Sequence, residues 1–386
     1  MNSASDSSRL YGGHLAGNFG ELYRVLNQHD KALPLLYQAA RISAGASDLE
    51  ELWRAQGRIS NSLAVQGDPT SAIFWGKQAV NTIQSLRGDL IKLDREMQTS
   101  FLNDKRWVYT ELSQQLIAAG RIPEAQRVMA LLKEEELFDF VRRDADSAPA
   151  SSELPLTGVE RRAAEQYKVL GDRLATLAQE ELRLQEIRRK GGATEADLAR
   201  LAELEAPLAE ARDAFMAFTT GLRQVLAGQA EHREKAALVD RQIESHQNLL
   251  ADLGAAGQGV AALQYVASRE KLSIIVSTQA IQLAREVPIA EKDLNQHIAE
   301  LRSLLQDPKL DPRAAAQRLH ALLIEPILAD LQAQNVHTLM LLQDGALRYL
   351  PFAALHDGRR YLVENYQLAI YTAAAQSGLS KSPAAQ

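Results

Sequence analysis

The chain contains no cysteine. That absence excludes disulfides, thiolate metal sites and a cysteine nucleophile among these residues, and it fits a reducing compartment. Aromatic residues are scarce at 5%, so aliphatic side chains must build most of any core. An excess of positive charge is also missing: the formal net charge is -6 and the pI is near 5.8. Without a basic field to attract phosphate backbones, nucleic acid is not an expected partner. No run approaches the roughly 18 apolar residues of a membrane span. The opening "MNSASDSSRL" has no apolar signal core. With Met1 as the native start, the expected location is the cytoplasm, and no membrane partner is expected. "GAAGQG" (Gly254 to Gly259) lacks dinucleotide spacing, and neither a P-loop nor an HExxH motif occurs, so no cofactor and no metal are expected.

What is abundant is Ala, Leu, Glu, Gln and Arg, all strong helix formers. Self-similarity is plain in the first third. "LNQHDKALPLLYQAARI", "AVQGDPTSAIFWGKQAVNTI" and "IAAGRIPEAQRVMALLKEEE" each run from a polar turn to a small residue and then a helical apolar pattern. The small residues are Ala32, Ala72 and Ala125, spaced 40 and then 53 apart. Gly67 and Gly120 mark the turns of the second and third units, and Gln28–His29–Asp30 replaces that turn in the first. Generic helix hairpins share such patterning. More specifically, Gly20, Tyr23, Ala32, Leu36 and Ala39 resemble the Gly, Tyr, Ala, Phe and Ala positions of tetratricopeptide (TPR) repeats. The second unit departs from the family, with Leu63 for the Tyr and Gly76 at the large apolar position beside Trp75. The third keeps Gly120, Ala125 and Leu116. Both spacings exceed the family's 34 residues, so lengthened helices or extra turns are expected, chiefly in "SLRGDLIKLDREMQTSFLNDK". The first unit begins by about Gly13 with no cap ahead of it, which leads us to expect further repeats before Met1. The resemblance implies that a protein or peptide partner sits on the concave face of the first helices. Carried over position by position, that face would show Glu21, Arg24, Arg54, Asn61, Trp107 and Gln114; a plainly solvated face is the other reading.

"DADSAPASSELPLTG" (Asp144 to Gly158) is rich in Ser, Pro and Ala and reads as a linker. Beyond it, Ala163, Tyr167, Leu170, Leu174 and Leu177 recur at alternating spacings, and "RKGGA" ends the pattern. A second stripe holds Leu201, Leu204, Leu208, Ala211, Phe215, Phe218, Leu222 and Val225. Val239, Ile243, Leu250 and Leu253 suggest a third helix. These stripes predict a coiled-coil-like arm of long helices, with Pro207 kinking or restarting the second. The arm reads either as a spacer for partners or as a stripe packed against the rest of the chain.

The period changes after Gly259. "GVAALQYVASREKLSIIVSTQAIQLAREVPI" holds three β-rich runs expected to form a meander, with "KLSIIVST" the clearest strand. Two helices are expected, at about Ala290 to Leu305 and Pro312 to Gln334, and then a buried strand in "VHTLMLL". Asp344–Gly345 and Asp357–Gly358 are turn dipeptides. Pro351 is expected to end or bend a strand. Arg348 and Arg360 are expected to pair with Glu364 or Asp357. This order, and above all "DGALRYLPFAALHDGRRYLVENY", resembles the CHAT domain over about Gly259 to Leu379, a caspase-like module found fused to TPR repeats. The family's Pro-Asp-Gly turn is here Gln343–Asp344–Gly345.

The expected architecture is therefore mainly α. TPR-like repeats fill 1–143, a linker 144–158, a long-helix arm 159–253, and the N-terminal part of a caspase-like α/β domain 259–386. Members of the resembled family that cut proteins use a His–Cys dyad on later strands. That implies no catalytic residue in this chain: His356 beside Asp357 has no partnered nucleophile, and His232 and His246 lack metal-ligand spacing. Two readings stand: a partner-binding and regulatory portion of a TPR–CHAT protein, or a caspase-like cysteine peptidase whose catalytic half is not in this chain. A stand-alone adaptor with a decayed CHAT remnant is a third. The strand after "VENY" would leave an open sheet edge through which self-association is expected.

Overall fold

The structure is a computed structural model that describes residues 3–90, 95–140, 153–227 and 259–371. The expected third arm helix (Val239 to Leu253), the strand end near Leu379 and most of the expected linker lie outside the described residues. The chain is mainly α, and among the described residues its strands are confined to the C-terminal part. It divides into two compact units. One holds α1 (Ser3–Val25), α2 (His29–Gly45), α3 (Leu49–Val65), α4 (Pro69–Leu90), nearly all of α5 (Arg95–Ala118), and the long α7 (Gly158–Arg189) and α8 (Glu195–Leu226). The other holds most of α6 (Ile122–Phe140) together with the sheet. No helix among the described residues is long and apolar enough to cross a membrane.

The repeat is visible in how helices end. Asn27, Gly67 and Gly120 adopt φ of 58°, 77° and 72°. Each lets the next amide reach back to a carbonyl five residues earlier: Gln28 to Tyr23 (2.8 Å), Asp68 to Leu63 (2.9 Å) and Arg121 to Leu116 (2.8 Å). This is the left-handed C-cap that satisfies a helix's last carbonyls. In the first unit Asn27 supplies the left-handed residue, ahead of the Gln28–His29–Asp30 turn. Asp48 and Asp68 start α3 and α4 by accepting from Glu51 N (3.1 Å) and Ser71 N (3.2 Å).

Small residues set the helix approach. A Cβ on Gly20 would lie 2.7 Å from the Leu36 side chain, so α1 and α2 meet at that glycine. A Cβ on Gly76 would lie 2.9 Å from Leu112, so the space left at the large apolar position is taken by α5. Trp75 beside it is fully buried. Its ring centroid lies 5.7 Å from that of Tyr37, 5.8 Å from Phe74 and 5.1 Å from Tyr167 of α7. This aromatic cluster belongs to one core that also takes in Ala163, Leu174, Phe215, Phe218 and Leu222. The base of the long-helix pair is therefore packed into the hairpins.

α7 and α8 run antiparallel, since Arg200 bonds Glu180 (2.7 Å) near the connecting turn and Arg173 bonds Glu210 (3.0 Å) further from it. Both helices open with a capping box, Thr157 with Glu160 and Thr194 with Asp197. Two sequence expectations change here. Pro207 does not restart α8, which is continuous; the carbonyl that loses its donor belongs to the exposed Glu203, where water can take over. The stripe ends on buried Leu226 rather than on Val225, which is exposed. A straight helix of 3.6 residues per turn drifts off a strict 3.5 repeat, so the last step is four. The end of the expected linker is fixed onto α4: Leu154 N donates to Asn81 Oδ1 at 2.7 Å.

In the sheet unit, β1 (Val260–Ala267), β2 (Leu272–Ser277) and β3 (Gln282–Val287) form the expected antiparallel meander. β4 (Thr338–Leu342) and β5 (Gln367–Ile370) add in parallel, giving the order β3-β2-β1-β4-β5. Ala261, Leu263 and Tyr265 face a core shared with α9 (Glu291–Gln306) and α10 (Arg313–Leu323). The alternate residues Val260 and Ala262 face Met340, Leu342 and Tyr371. The helix expected from Pro312 to Gln334 is interrupted. A 3-10 turn at Glu325–Ile327 precedes α11 (Leu328–Ala333), because Pro326 has no N–H and restricts Glu325. Pro351 bends no strand. It sits between 3-10 turns at Gly345–Tyr349 and Phe352–Ala354, which bury Leu347 and Phe352. The short α12 (Leu362–Asn365) then leads into β5.

Candidate functional site

The six residues expected on the first-helix face fall on α1, α3 and α5. Arg24 grips Glu21 through two bonds of 2.7 and 2.8 Å, and its remaining Nη1 donates to Asn61 Oδ1 at 3.0 Å. The Glu21 bond holds the guanidinium pKa above its ordinary value against the cost of burial. Arg58 reaches the same Glu21 at 3.3 Å, and its pKa is lowered by burial. One carboxylate thus ties α1 to α3 and fixes the Asn61 amide. Asn61 Nδ2 has no partner among the described residues.

Arg54 lies 4.9 Å above the Trp53 ring and pairs with Glu50 at 3.1 Å. Trp53 Nε1 donates to Glu50 at 3.0 Å, and its ring centre is 6.4 Å from that of Trp107 on α5. Gly57 makes room for Trp107, since a Cβ there would lie 2.7 Å from the indole. Lys105 completes the group, 4.8 Å from the Trp53 ring and 3.2 Å from Glu50, and burial lowers its pKa. Glu21, Arg24 and Asn61 form one connected group, and Arg54 with Trp107 meets around Trp53. Gln114 is buried instead. Trp53, Glu50, Arg58 and Lys105 were not singled out from the sequence. The Glu50/Arg54 pair at i,i+4 around a tryptophan was the available signal.

At the outer end of this network Glu51 is buried between Arg58 (3.6 Å) and His14 (3.4 Å), and Gly17 leaves space for its carboxylate. Burial pushes its carboxyl pKa up against the pull of Arg58, His14 and Arg54. A carboxyl raised in the folded state stabilises the fold when protonated, and that contribution is lost as pH rises through the raised value. Glu51→Gln should therefore melt higher than wild type at neutral pH, by about 2–4 °C, the scale of roughly 1 kcal/mol in a unit of this size. The gap should close as pH falls below the ordinary carboxylate range. A variant that melts lower at every pH would show that the ion pairs outweigh burial.

In the sheet unit His356 is buried and accepts the Gly358 amide on Nδ1 at 3.0 Å, with its ring edge-on to Tyr361 at 4.9 Å. It is a turn residue. Asp357 accepts from the Arg359 and Arg360 amides at 2.7 Å each, which, with Asn365, lowers its carboxyl pKa. Arg348 pairs with Asp344 at 3.3 Å, not with Glu364 or Asp357, because both sit on one 3-10 turn four residues apart. Asp344 caps that turn through the Gly345 amide at 2.9 Å. Glu364 accepts the Tyr361 amide at 2.6 Å.

No curated protein matches the chain. The family model described as CHAT domain matches residues 313–386. Within the described residues the matched span runs from α10 through the 3-10 turns to β5, and β1 to β3 and α9 lie ahead of it. That C-terminal part is thus similar to a caspase-like, peptidase-related family.

Proposed function

We propose that the chain is the recognition and control portion of a TPR–CHAT protein. In this reading the α1/α3/α5 face binds a protein or peptide partner, and binding there controls a caspase-like peptidase. The observation that carries it is Asn61. Its oxygen is held by an arginine already locked to Glu21, and its Nδ2 donors have no partner among the described residues. A fixed amide with free donors suits a peptide carbonyl, and Trp107, packed over Gly57 on the same helix, α3, offers an apolar surface.

The test is a random-peptide display selection against the full chain. Selected peptides should bind Asn61→Ala at least about tenfold more weakly, a loss of roughly 1.4 kcal/mol, while the melting temperature stays put. Selection of nothing, or peptides indifferent to Asn61→Ala and Arg54→Ala, would reject the face. The second reading, a cysteine peptidase whose catalytic half is not in this chain, is favoured by the CHAT match. Under either reading this chain should not cleave fluorogenic peptides, since it has no cysteine. Among the described residues β5 is an edge strand with Ile370 exposed, so self-association through that edge belongs to the same reading; sedimentation at rising concentration tests it.

A further inference from the structure

A cavity of about 370 Å³ opens in the helical unit between α7 and the hairpin helices α2, α3 and α4. Small-molecule sites have volumes of roughly 300–1,000 Å³. Ala44, Leu52, Ala164 and the Tyr167 ring give the cavity apolar walls. None of the six residues of the first-helix face lines it.

Two polar atoms of its lining residues are buried and have no hydrogen-bond partner among the described residues: the Tyr167 hydroxyl and Gln78 Nε2. Packing does not call for the hydroxyl. The Tyr167 ring is held by Trp75, Phe215 and Phe218, with centroids 5.1, 5.7 and 6.3 Å away, and a phenylalanine would serve that cluster as well. Burial pushes the hydroxyl pKa up to about 12, and Gln56 beside it pulls the other way without hydrogen-bonding geometry. The group therefore keeps its proton at neutral pH and can donate. Gln56 is itself held, its Oε1 accepting the Thr82 hydroxyl at 2.8 Å. Gln78 Nε2 is a second donor, since an amide nitrogen only donates.

Two held donors in an apolar chamber call for an acceptor oxygen, because a buried donor left unpaired is costly. Charge narrows the choice. Arg161 and Lys168 in the lining are matched by Glu165 and Asp172, and Lys168 already pairs with Asp172 at 2.6 Å. The lining thus has no net charge with which to hold an anion or a cation. We propose that this cavity binds an uncharged small molecule with an apolar body and a carbonyl oxygen, which accepts from Tyr167 and Gln78.

The probe is prodan, an uncharged naphthalene ketone whose emission reports its surroundings, titrated into the full chain. Saturable one-to-one binding, with emission shifted to the blue of its value in water, is expected. Tyr167→Phe should weaken binding about fivefold, the worth of one net hydrogen bond. It should leave the melting temperature of the unliganded chain unchanged or higher, because it removes an unpaired buried donor. Gln78→Met makes the same test from the other donor, and decides the matter if circular dichroism shows Tyr167→Phe misfolded. Phenylnaphthylamine, an apolar dye with no carbonyl, should bind the variants as it binds the wild type. Prodan that does not saturate, or that binds both variants as tightly as the wild type, overturns the proposal. So does an equal loss for the two dyes, which would show that the substitutions act on the shape of the cavity and not on a hydrogen bond.

Discussion

Lys77→Met is expected to destabilise the helical unit by about 3–5 kcal/mol, the cost of removing one member of a buried ion pair. Lys77 Nζ and Glu160 Oε2 are 2.8 Å apart, and both side chains are buried. Lys77 also donates to the Pro155 carbonyl at 3.1 Å. Glu160 in turn accepts the Thr157 amide at 2.8 Å, and its own amide donates to the Thr157 hydroxyl at 3.0 Å. The pair thus joins α4 to the start of α7. Methionine matches the lysine stem in volume, so the loss reports on charge and not on packing. Adding Glu160→Gln to Lys77→Met removes the opposing buried charge while keeping an acceptor for Thr157, and should recover a large part of the loss. Urea denaturation of the wild type, the single and the double variant measures it. A single-variant loss below about 1 kcal/mol would mean that water reaches the pair.

Trp75→Ala should cost a comparable 3–5 kcal/mol, roughly, for a different reason, the cavity left by a fully buried indole. Three aromatic rings lose a neighbour at once: Tyr37, Phe74 and Tyr167. The indole Nε1 has no hydrogen-bond partner among the described residues, so Trp75→Phe removes an unsatisfied donor along with some volume and should be much the milder change. A calorimetric scan separates the two: a drop of about 10 °C for alanine and only a few degrees for phenylalanine. Equal losses for both would mean that shape at this one point outweighs volume.

The frame of the helix hairpins was legible because a small residue five positions after each turn residue marks a close helix crossing. Ala32, Ala72 and Ala125 are all fully buried. The left-handed caps were only partly legible, since glycine announces that conformation and Asn27 does not. The meander and "VHTLMLL" were legible from β-branched and aliphatic runs, whereas the 3-10 turns around Pro351 have no simple hydrophobic period. On the candidate face, positions could be carried over but depth could not. Gln114 and Lys105 look alike in sequence to exposed polar residues, and both are buried. Their burial depends on neighbours from other helices, which spacing along one helix does not encode.

The long-helix pair has two cores of unequal connection. Its base shares a core with the hairpins, while near the connecting turn Ala178, Leu184, Leu204 and Leu208 form a separate cluster of α7 and α8 residues among the described residues. A beam clamped along part of its length carries any load on its far end as torque at the clamp. Here the clamp edge lies near Leu174 and Gln179, where Gln179 Nε2 donates to the Gly45 carbonyl at the end of α2 at 3.2 Å. Sideways force on the turn at Gly191–Gly192 would therefore arrive at the end of α2 and, through it, at the packing of the hairpins.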